Sequence, residues 1–182
     1  MNNRIFFLVA LFFLTACKSI SQIPQPYSHI TDNLLNKYQG SWRWVFNNDT
    51  VIIKIAKVIH YYNTPPQSTA DRIAGCHIYI KNNLVVESSM NKYDSTISIN
   101  DKLGTIYGWS DTDTDTIRVE GIFKDISKQK KGRLFLEYIN SVPAQLIWHL
   151  QNPKGLSVTL PGEQPFDESF TLPKDMLLTK IQ

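Results

Sequence analysis

The stretch Gly40-Ser41-Trp42-Arg43-Trp44-Val45-Phe46 decides how the chain is read, because its side chains alternate with period two. Trp42, Trp44 and Phe46 fall on one face and Arg43 and Val45 on the other, the pattern of a half-buried strand. Asn47-Asn48-Asp49 follows, residues that tolerate the left-handed conformations of tight turns. Val51 to Ile59 then reads as a longer apolar strand running back. Outward from this hairpin the signal recurs. Ile78 and Ile80 alternate with His77 and Tyr79, and Asn82-Asn83 turns the chain into Leu84-Val85-Val86. Further strands are expected at Thr96 to Ile99, Thr105 to Trp109, Thr116 to Phe123, Arg133 to Ile139, Ala144 to Leu150 and Met176 to Ile181. Two stretches interrupt the rhythm and read as loops: His60 to Arg72, with Pro65-Pro66, and Asn152 to Asp175, with four prolines. No segment carries a sustained helical period. The pattern predicts an all-β domain, an antiparallel meander of eight to ten strands closed as a barrel, with a β-sandwich as the alternative.

The beginning of the chain is of another kind. Arg4 precedes an apolar run from Ile5 to Leu14 that is too short to span a bilayer and reads as a signal peptide over residues 1–16. Leu14-Thr15-Ala16-Cys17 resembles a bacterial lipobox. That resemblance implies cleavage before Cys17 and attachment of lipid to its thiol, which would make the membrane a partner. Residues 17–37, with Pro24 and Pro26 among serines and glutamines, read as a tether that holds a short helical turn at Thr31 to Lys37. Residues 38–182 then form a single domain. Lys18-Ser19-Ile20-Ser21-Gln22 lacks the acidic cluster that resembles a surface-export signal. The expected location is therefore the outer membrane of the cell envelope, facing the periplasm.

A formal net charge of +3 is too small for a nucleic-acid binder. Of the two cysteines, a lipidated Cys17 leaves Cys76 alone, so no internal disulfide is expected. Cys76 sits within an expected strand and reads as a buried, inert thiol.

Two resemblances go further. Gly40-Ser41-Trp42 is similar to the Gly-x-Trp that opens lipocalin and calycin barrels, where the indole plugs the closed end under a basic side chain from the last strand. Lys180 stands where that partner would be, so Trp42 and Lys180 are the implied barrel plug. The alternative for Trp42 is packing in any β core. The chain as a whole resembles a family of small uncharacterised lipoproteins of Bacteroidetes, particularly flavobacteria, known only as a domain of unknown function. The matching pieces are the lipobox, Tyr38 to Trp44, Asp71 to Gly75, Tyr79 to Asn82, Gly132-Arg133-Leu134, Trp148 to Asn152 and Phe170 to Lys180. This resemblance implies a location and a β fold and carries no chemistry.

Asp111, Asp113 and Asp115 are the one constellation that invites a metal, since alternating carboxylates open an EF-hand loop. Thr116 and Ile122 stand where that loop needs glycine and glutamate, and a polar hairpin is the competing reading. His29, His60, His77 and His149 lack the short spacings of zinc sites. No nucleophile elbow, Walker loop or His-Glu-x-x-His occurs, so no cofactor and no enzymatic activity are expected. Lys124 to Arg133 is a basic loop that reads either as a contact for anionic lipid or as an ordinary solvated hairpin. Two function classes follow: a lipocalin-like binding module for a small apolar ligand, or a protein–protein module (immunity, inhibitor or envelope-assembly factor) whose core is filled.

Overall fold

The computed structural model describes residues 28–63, 68–92, 104–111, 118–153 and 167–181. Ten strands account for most of them: β1 Ser28–Ile30, β2 Gly40–Phe46, β3 Asp49–Asn63, β4 Ser68–Lys81, β5 Leu84–Ser88, β6 Ile106–Asp111, β7 Arg118–Asp125, β8 Lys130–Ile139, β9 Gln145–Gln151 and β10 Asp175–Lys180. Short 3₁₀ turns lie at Asn33–Tyr38 and Met90–Lys92. The asparagines do at the turns what their chemistry permits. Asn47 (φ 52°), Asn82 (φ 50°) and Asn83 (φ 65°) all occupy the left-handed region that closes tight hairpins.

Eight strands form a closed antiparallel barrel, the lipocalin-like architecture that the sequence predicts. Going round it, β4, β3, β2, β10, β9, β8, β7 and β6 pair in turn, and β6 returns to β4. The β2–β10 seam carries Thr179↔Arg43 and Lys180↔Trp42, and the β4–β6 seam carries Ile73↔Gly108 to Gly75↔Ile106. Because β3 covers one whole edge of β4, the other edge is shared by three strands end to end. β1 pairs in parallel at Ser68 to Ala70, β6 follows at Ile73 to Gly75, and β5 takes Ile78 to Lys81. Closure and this covering leave little bare sheet edge on β4.

The loop expected at His60 to Arg72 is largely strand, since β3 runs to Asn63 and β4 starts at Ser68. The polar composition conceals it. A register shift between Val58 and Tyr61 bends β3, and pairing with β4 resumes at Tyr61↔Ala70. The strand expected at Thr96 to Ile99 lies outside the described residues, as do Thr116 and Ile117 of another. The later part of the expected tether packs on the barrel. The Asp32 carboxylate accepts the Leu34 N–H at 2.9 Å to cap the 3₁₀ turn, and Leu35 and Tyr38 of that turn are buried completely.

Inward positions at mid-barrel are filled by large side chains. Ile53, Phe123, Leu136, Leu146 and Trp148 all have 0 % exposure, so no water-sized space adjoins them. Aromatic rings meet edge to face, Phe123 with Trp148 at 5.5 Å between centroids and His77 with Phe123 at 5.1 Å. Glycines make the room. Gly108 and Gly121 are direct cross-strand partners on β6 and β7, and a Cβ on Gly121 would lie 2.0 Å from the Tyr107 carbonyl oxygen. That carbonyl is backbone held in the sheet, so it has nowhere to go. Gly121→Ala should therefore destabilise the fold by about 3 kcal/mol or more. Urea unfolding monitored by tryptophan fluorescence checks this, with Ala74→Gly on the same sheet as a reference for an ordinary glycine–alanine exchange.

Candidate functional site

One end of the barrel is closed by the 3₁₀ turn and the start of β2. Gly40 has φ 120°, a conformation that L side chains rarely adopt, and this bend directs the chain from the turn into the strand. Two residues on, the Trp42 indole points inward and donates from Nε1 to the Tyr38 carbonyl oxygen at 2.9 Å. Lys180 Nζ lies 5.3 Å from the Trp42 ring centroid, and Lys180 is the cross-strand partner of Trp42. Tyr138 packs edge-on against both Trp42 (6.2 Å) and Tyr38 (6.1 Å), with Lys37 over its ring at 5.3 Å. Burial pushes the Tyr38 phenol up to about 12, so it stays neutral at any physiological pH.

The opposite end is stoppered by the β9–β10 connection. Phe170 sits on the inner face of Gly132, where a Cβ would lie 2.7 Å from its ring, and Leu172 beside it is 1 % exposed. Gly132 and Tyr138 are six residues apart on β8, which places the two closures about 20 Å from each other. A polar clasp holds the stopper. The buried Asp125 carboxylate accepts the Thr171 N–H at 2.6 Å and the Thr171 hydroxyl at 2.8 Å, and also the Lys128 N–H at 2.9 Å. Lys128 reaches Asp167 at 2.7 Å, and Lys130 lies over the Phe170 ring at 4.2 Å. Two lysines of the basic loop are thus engaged with the protein's own chain, and this favours the hairpin reading of Lys124 to Arg133 over the lipid one.

Between the ends lies a buried polar network that the sequence does not announce. On β4, His77 offers Nε2 to Glu87 Oε1 at 2.8 Å and Nδ1 to Thr105 Oγ1 at 2.8 Å. Ser89 Oγ accepts the His77 backbone N–H at 2.9 Å and meets Thr105 Oγ1 at 3.0 Å. Glu87 in addition accepts the backbone N–H groups of Ile126 (3.2 Å) and Ser127 (2.7 Å) in the β7–β8 turn. The ring bridges Glu87 and Thr105, and the Ser89 hydroxyl closes the circuit by meeting Thr105. His77 and Ser89 are 0 % exposed, so this serine–histidine–glutamate set faces no substrate and acts as a tie between β4, β5 and the β7–β8 turn. The only hint in the sequence is a lone glutamate closing the apolar Leu84-Val85-Val86.

The outer face of β7, β8 and β9 carries a groove of about 380 Å³ lined by Arg118, Arg133, Phe135, Glu137, Ile147, His149 and Gln151, with Leu136 at its floor. Both guanidiniums lie 5.1 Å from the Phe135 ring centroid. Arg118 is paired with Asp111 at 3.1 Å, Arg133 with Glu120, and His149 with Asp175.

The other residues singled out in the sequence fall as follows. Trp42 and Lys180 are brought together. Asp111 faces Arg118, while Asp113 and Asp115 lie outside the described residues, as does Cys17. Among the described residues no group of three potential metal ligands occurs. Cys76 is buried, and its neighbour His77 is directed to the interior on the other face of β4.

Fold and filling together define a small, closed, lipocalin-like antiparallel barrel with its own chain across both ends. Compared with known proteins, the chain belongs to the DUF6705 family, a family of unknown function, which it matches over residues 1–181. No curated protein and no solved structure matches it.

Trp42→Phe and Lys180→Met, combined in a double-mutant cycle, should show a coupling of about 0.5–2 kcal/mol, and additive effects would mean the contact contributes nothing. Burial alone would raise the Glu87 carboxyl, but the hydrogen bonds from His77, Ser127 and Ile126 outweigh it and hold it down at about 2 from its ordinary 4.5. A depressed carboxylate stabilises the fold above its unfolded pKa. About 3 kcal/mol should therefore be lost as pH falls from about 4.5 through about 2, and Glu87→Gln should flatten that limb of the stability–pH curve.

Proposed function

We propose that this protein is an envelope lipoprotein that binds a partner protein through the outside of its barrel. The observation that carries this reading is the interior: side chains at mid-barrel are fully buried, and both ends are covered by the chain itself, by Tyr38 and Trp42 on one side and Phe170 and Leu172 on the other. A barrel filled in this way leaves its surface to do the binding. The reading treats the protein as a binding module and not an enzyme, in keeping with the lack of a recognisable catalytic motif in the sequence. Lipidation at Cys17 and a periplasm-facing position on the outer membrane belong to the same proposal and rest on the lipobox and the residues after it.

One observation favours the second reading, a small ligand inside the barrel. Trp148 Nε1 is buried and has no hydrogen-bond partner among the described residues, so a ligand carrying an acceptor would satisfy it. The two readings are separated by a naturally apolar probe. Incubation of the full chain with a fluorescent fatty acid, followed by native mass spectrometry, should give no stoichiometric complex; a one-to-one complex that quenches tryptophan emission would transfer the function to the interior. For the anchor, Cys17→Ser should abolish incorporation of labelled palmitate and leave an uncleaved precursor. Digestion of the domain by protease added to intact cells would overturn its periplasmic position.

A further inference from the structure

β5 stands outside the closed wall of the barrel. Because β6 takes the edge of β4 at Ile73 to Gly75 and continues the wall, β5 pairs with β4 alone, from Ile78↔Ser88 to Lys81↔Leu84. No described strand pairs with its other edge. The two halves of β5 differ. Glu87 is buried and bonded to His77, Ile126 and Ser127, and just beyond the strand the Ser89 N–H donates to the His77 carbonyl oxygen at 2.8 Å. Leu84, Val85 and Val86 are instead exposed by 72, 60 and 44 %, so both faces of this half are open. The buried network, which faces no substrate, thus holds a bare strand end in a fixed position, and a fixed edge loses little freedom when something pairs with it. Bare edges are commonly blunted by charge or proline, and Leu84-Val85-Val86 has neither. The single irregularity falls at Val86 and leaves Leu84 and Val85 in register with Lys81 and Ile80.

The surface beside this edge is apolar as well. Register aligns Val45, Thr50, Ile80 and Val85 in one row across four strands, and Phe46, Asp49, Lys81 and Leu84 in the next. Val45 and Phe46 are exposed by 56 and 63 %, and the Asn82 N–H donates to the Asn48 carbonyl oxygen at 3.1 Å, which ties the two hairpin tips together. Together with Leu84, Val85 and Val86 they expose on the order of 500 Å² of apolar area, near the upper end of what a lone domain leaves in one patch. Unpaired strand N–H and C=O groups are matched by another extended backbone, and uncharged side chains on both faces suit a strand that is itself uncharged. The chain enters the domain at Ser28, beside Ser68, which lies about 43 Å along β4 from Lys81. The eleven residues from Cys17 to Ser28 reach at most about 38 Å. With the lipid anchor proposed at Cys17, the β5 end therefore cannot be set end-on against the bilayer. A second copy in the same membrane stands the same way up, whereas two-fold antiparallel pairing of β5 with itself needs the barrels head to tail.

We propose that β5 docks an extended, uncharged segment of a different protein, which adds to the free edge at Leu84 to Val86 as a further strand. Its side chains lie beside Val85 on one face and beside Leu84 and Phe46 on the other. The inference rests on the surface reading above and names the place on that surface and the form of the partner.

The test uses the ¹⁵N-labelled full chain and two capped heptapeptides of one sequence, Ser-Val-Thr-Val-Thr-Val-Ser, the second with its three central peptide nitrogens methylated. The parent peptide should give saturable amide shifts centred on Leu84 to Ser88 and should slow hydrogen exchange of at least one amide among Leu84, Val85 and Val86. The methylated peptide keeps the side chains but loses backbone donors, and should bind at least roughly tenfold more weakly. Val85→Asp should weaken the parent peptide by a similar factor, and Ile147→Ser, exposed on β9, should leave it unchanged. Equal binding of the two peptides, shifts elsewhere on the barrel, or no shifts at millimolar peptide would overturn the proposal. So would a dimer in sedimentation velocity that Val85→Asp dissolves, since that result assigns the edge to a second copy. Failure of the peptides, with no fatty acid in the barrel, removes the strand partner but leaves the surface reading. A fatty acid in the barrel removes the surface reading, and this proposal with it, whatever the peptides do.

Discussion

The seam between β2 and β10 is the contact on which the rest of the molecule depends. A meander of consecutive strands has two bare edges, and each carries unpaired N–H and C=O groups that invite aggregation. Pairing the last strand with the first barrel strand removes both edges. The seam is short, with Thr179↔Arg43 and Lys180↔Trp42 in register and Ile181 N–H donating to the Ser41 carbonyl oxygen at 2.9 Å just beyond. Trp42 reinforces it on the inside, because its ring is held by the Tyr38 carbonyl, by Tyr138 and by the Lys180 stem. Each of those partners comes from a different element, so the indole ties the 3₁₀ turn, β8 and β10 to β2 at once.

Closing a barrel of eight strands raises the question of what fills it. Here the answer is a balance of large and absent side chains. Trp42, Trp148 and Phe123 point inward from three strands, while Gly108, Gly121 and Gly132 lie where further side chains would collide with Val119, with the Tyr107 backbone and with the Phe170 ring respectively. With Cβ positions at these glycines already within 2.0–2.7 Å of a neighbour, even one added methyl group is felt. Filling also forces polar groups out of water. His77, Glu87, Ser89 and Thr105 are affordable inside only because they satisfy one another, and removing any one would strand a buried donor or acceptor.

A filled barrel moves the chemistry outward. The rings on the outer face of β6 to β8 are not left bare: Arg72 lies over Trp109 at 5.7 Å, Lys124 over Tyr107 at 4.8 Å, and two arginines flank Phe135. Such pairs cover apolar area while keeping charge at the surface, and this lets the barrel carry aromatic groups outside. The clasp around Phe170 has the opposite role. It turns the basic β7–β8 turn toward Asp167 and Thr171 and so commits those lysines to holding the barrel shut.

Alternation along the chain determined most of the strands, the asparagine turns and the all-β class, because a period of two and a left-handed turn are local properties that neighbouring residues fix. The sequence also placed Trp42 and Lys180 at the two ends of one domain, where a closed meander must bring them together. It hid the length of β3 and β4, whose polar residues around Tyr61 and Thr69 carry little local signal and whose pairing is decided by partners across a register shift. It hid the burial of Leu35, since a tether and a packed 3₁₀ turn have the same composition. Only the tertiary structure assembled His77 with Glu87, Ser89 and Thr105, seated Phe170 on Gly132, and set Phe135 between Arg118 and Arg133. The physical reason is that these contacts depend on cross-strand register and on the packing of a connection over the barrel end, and neither is set by local propensity.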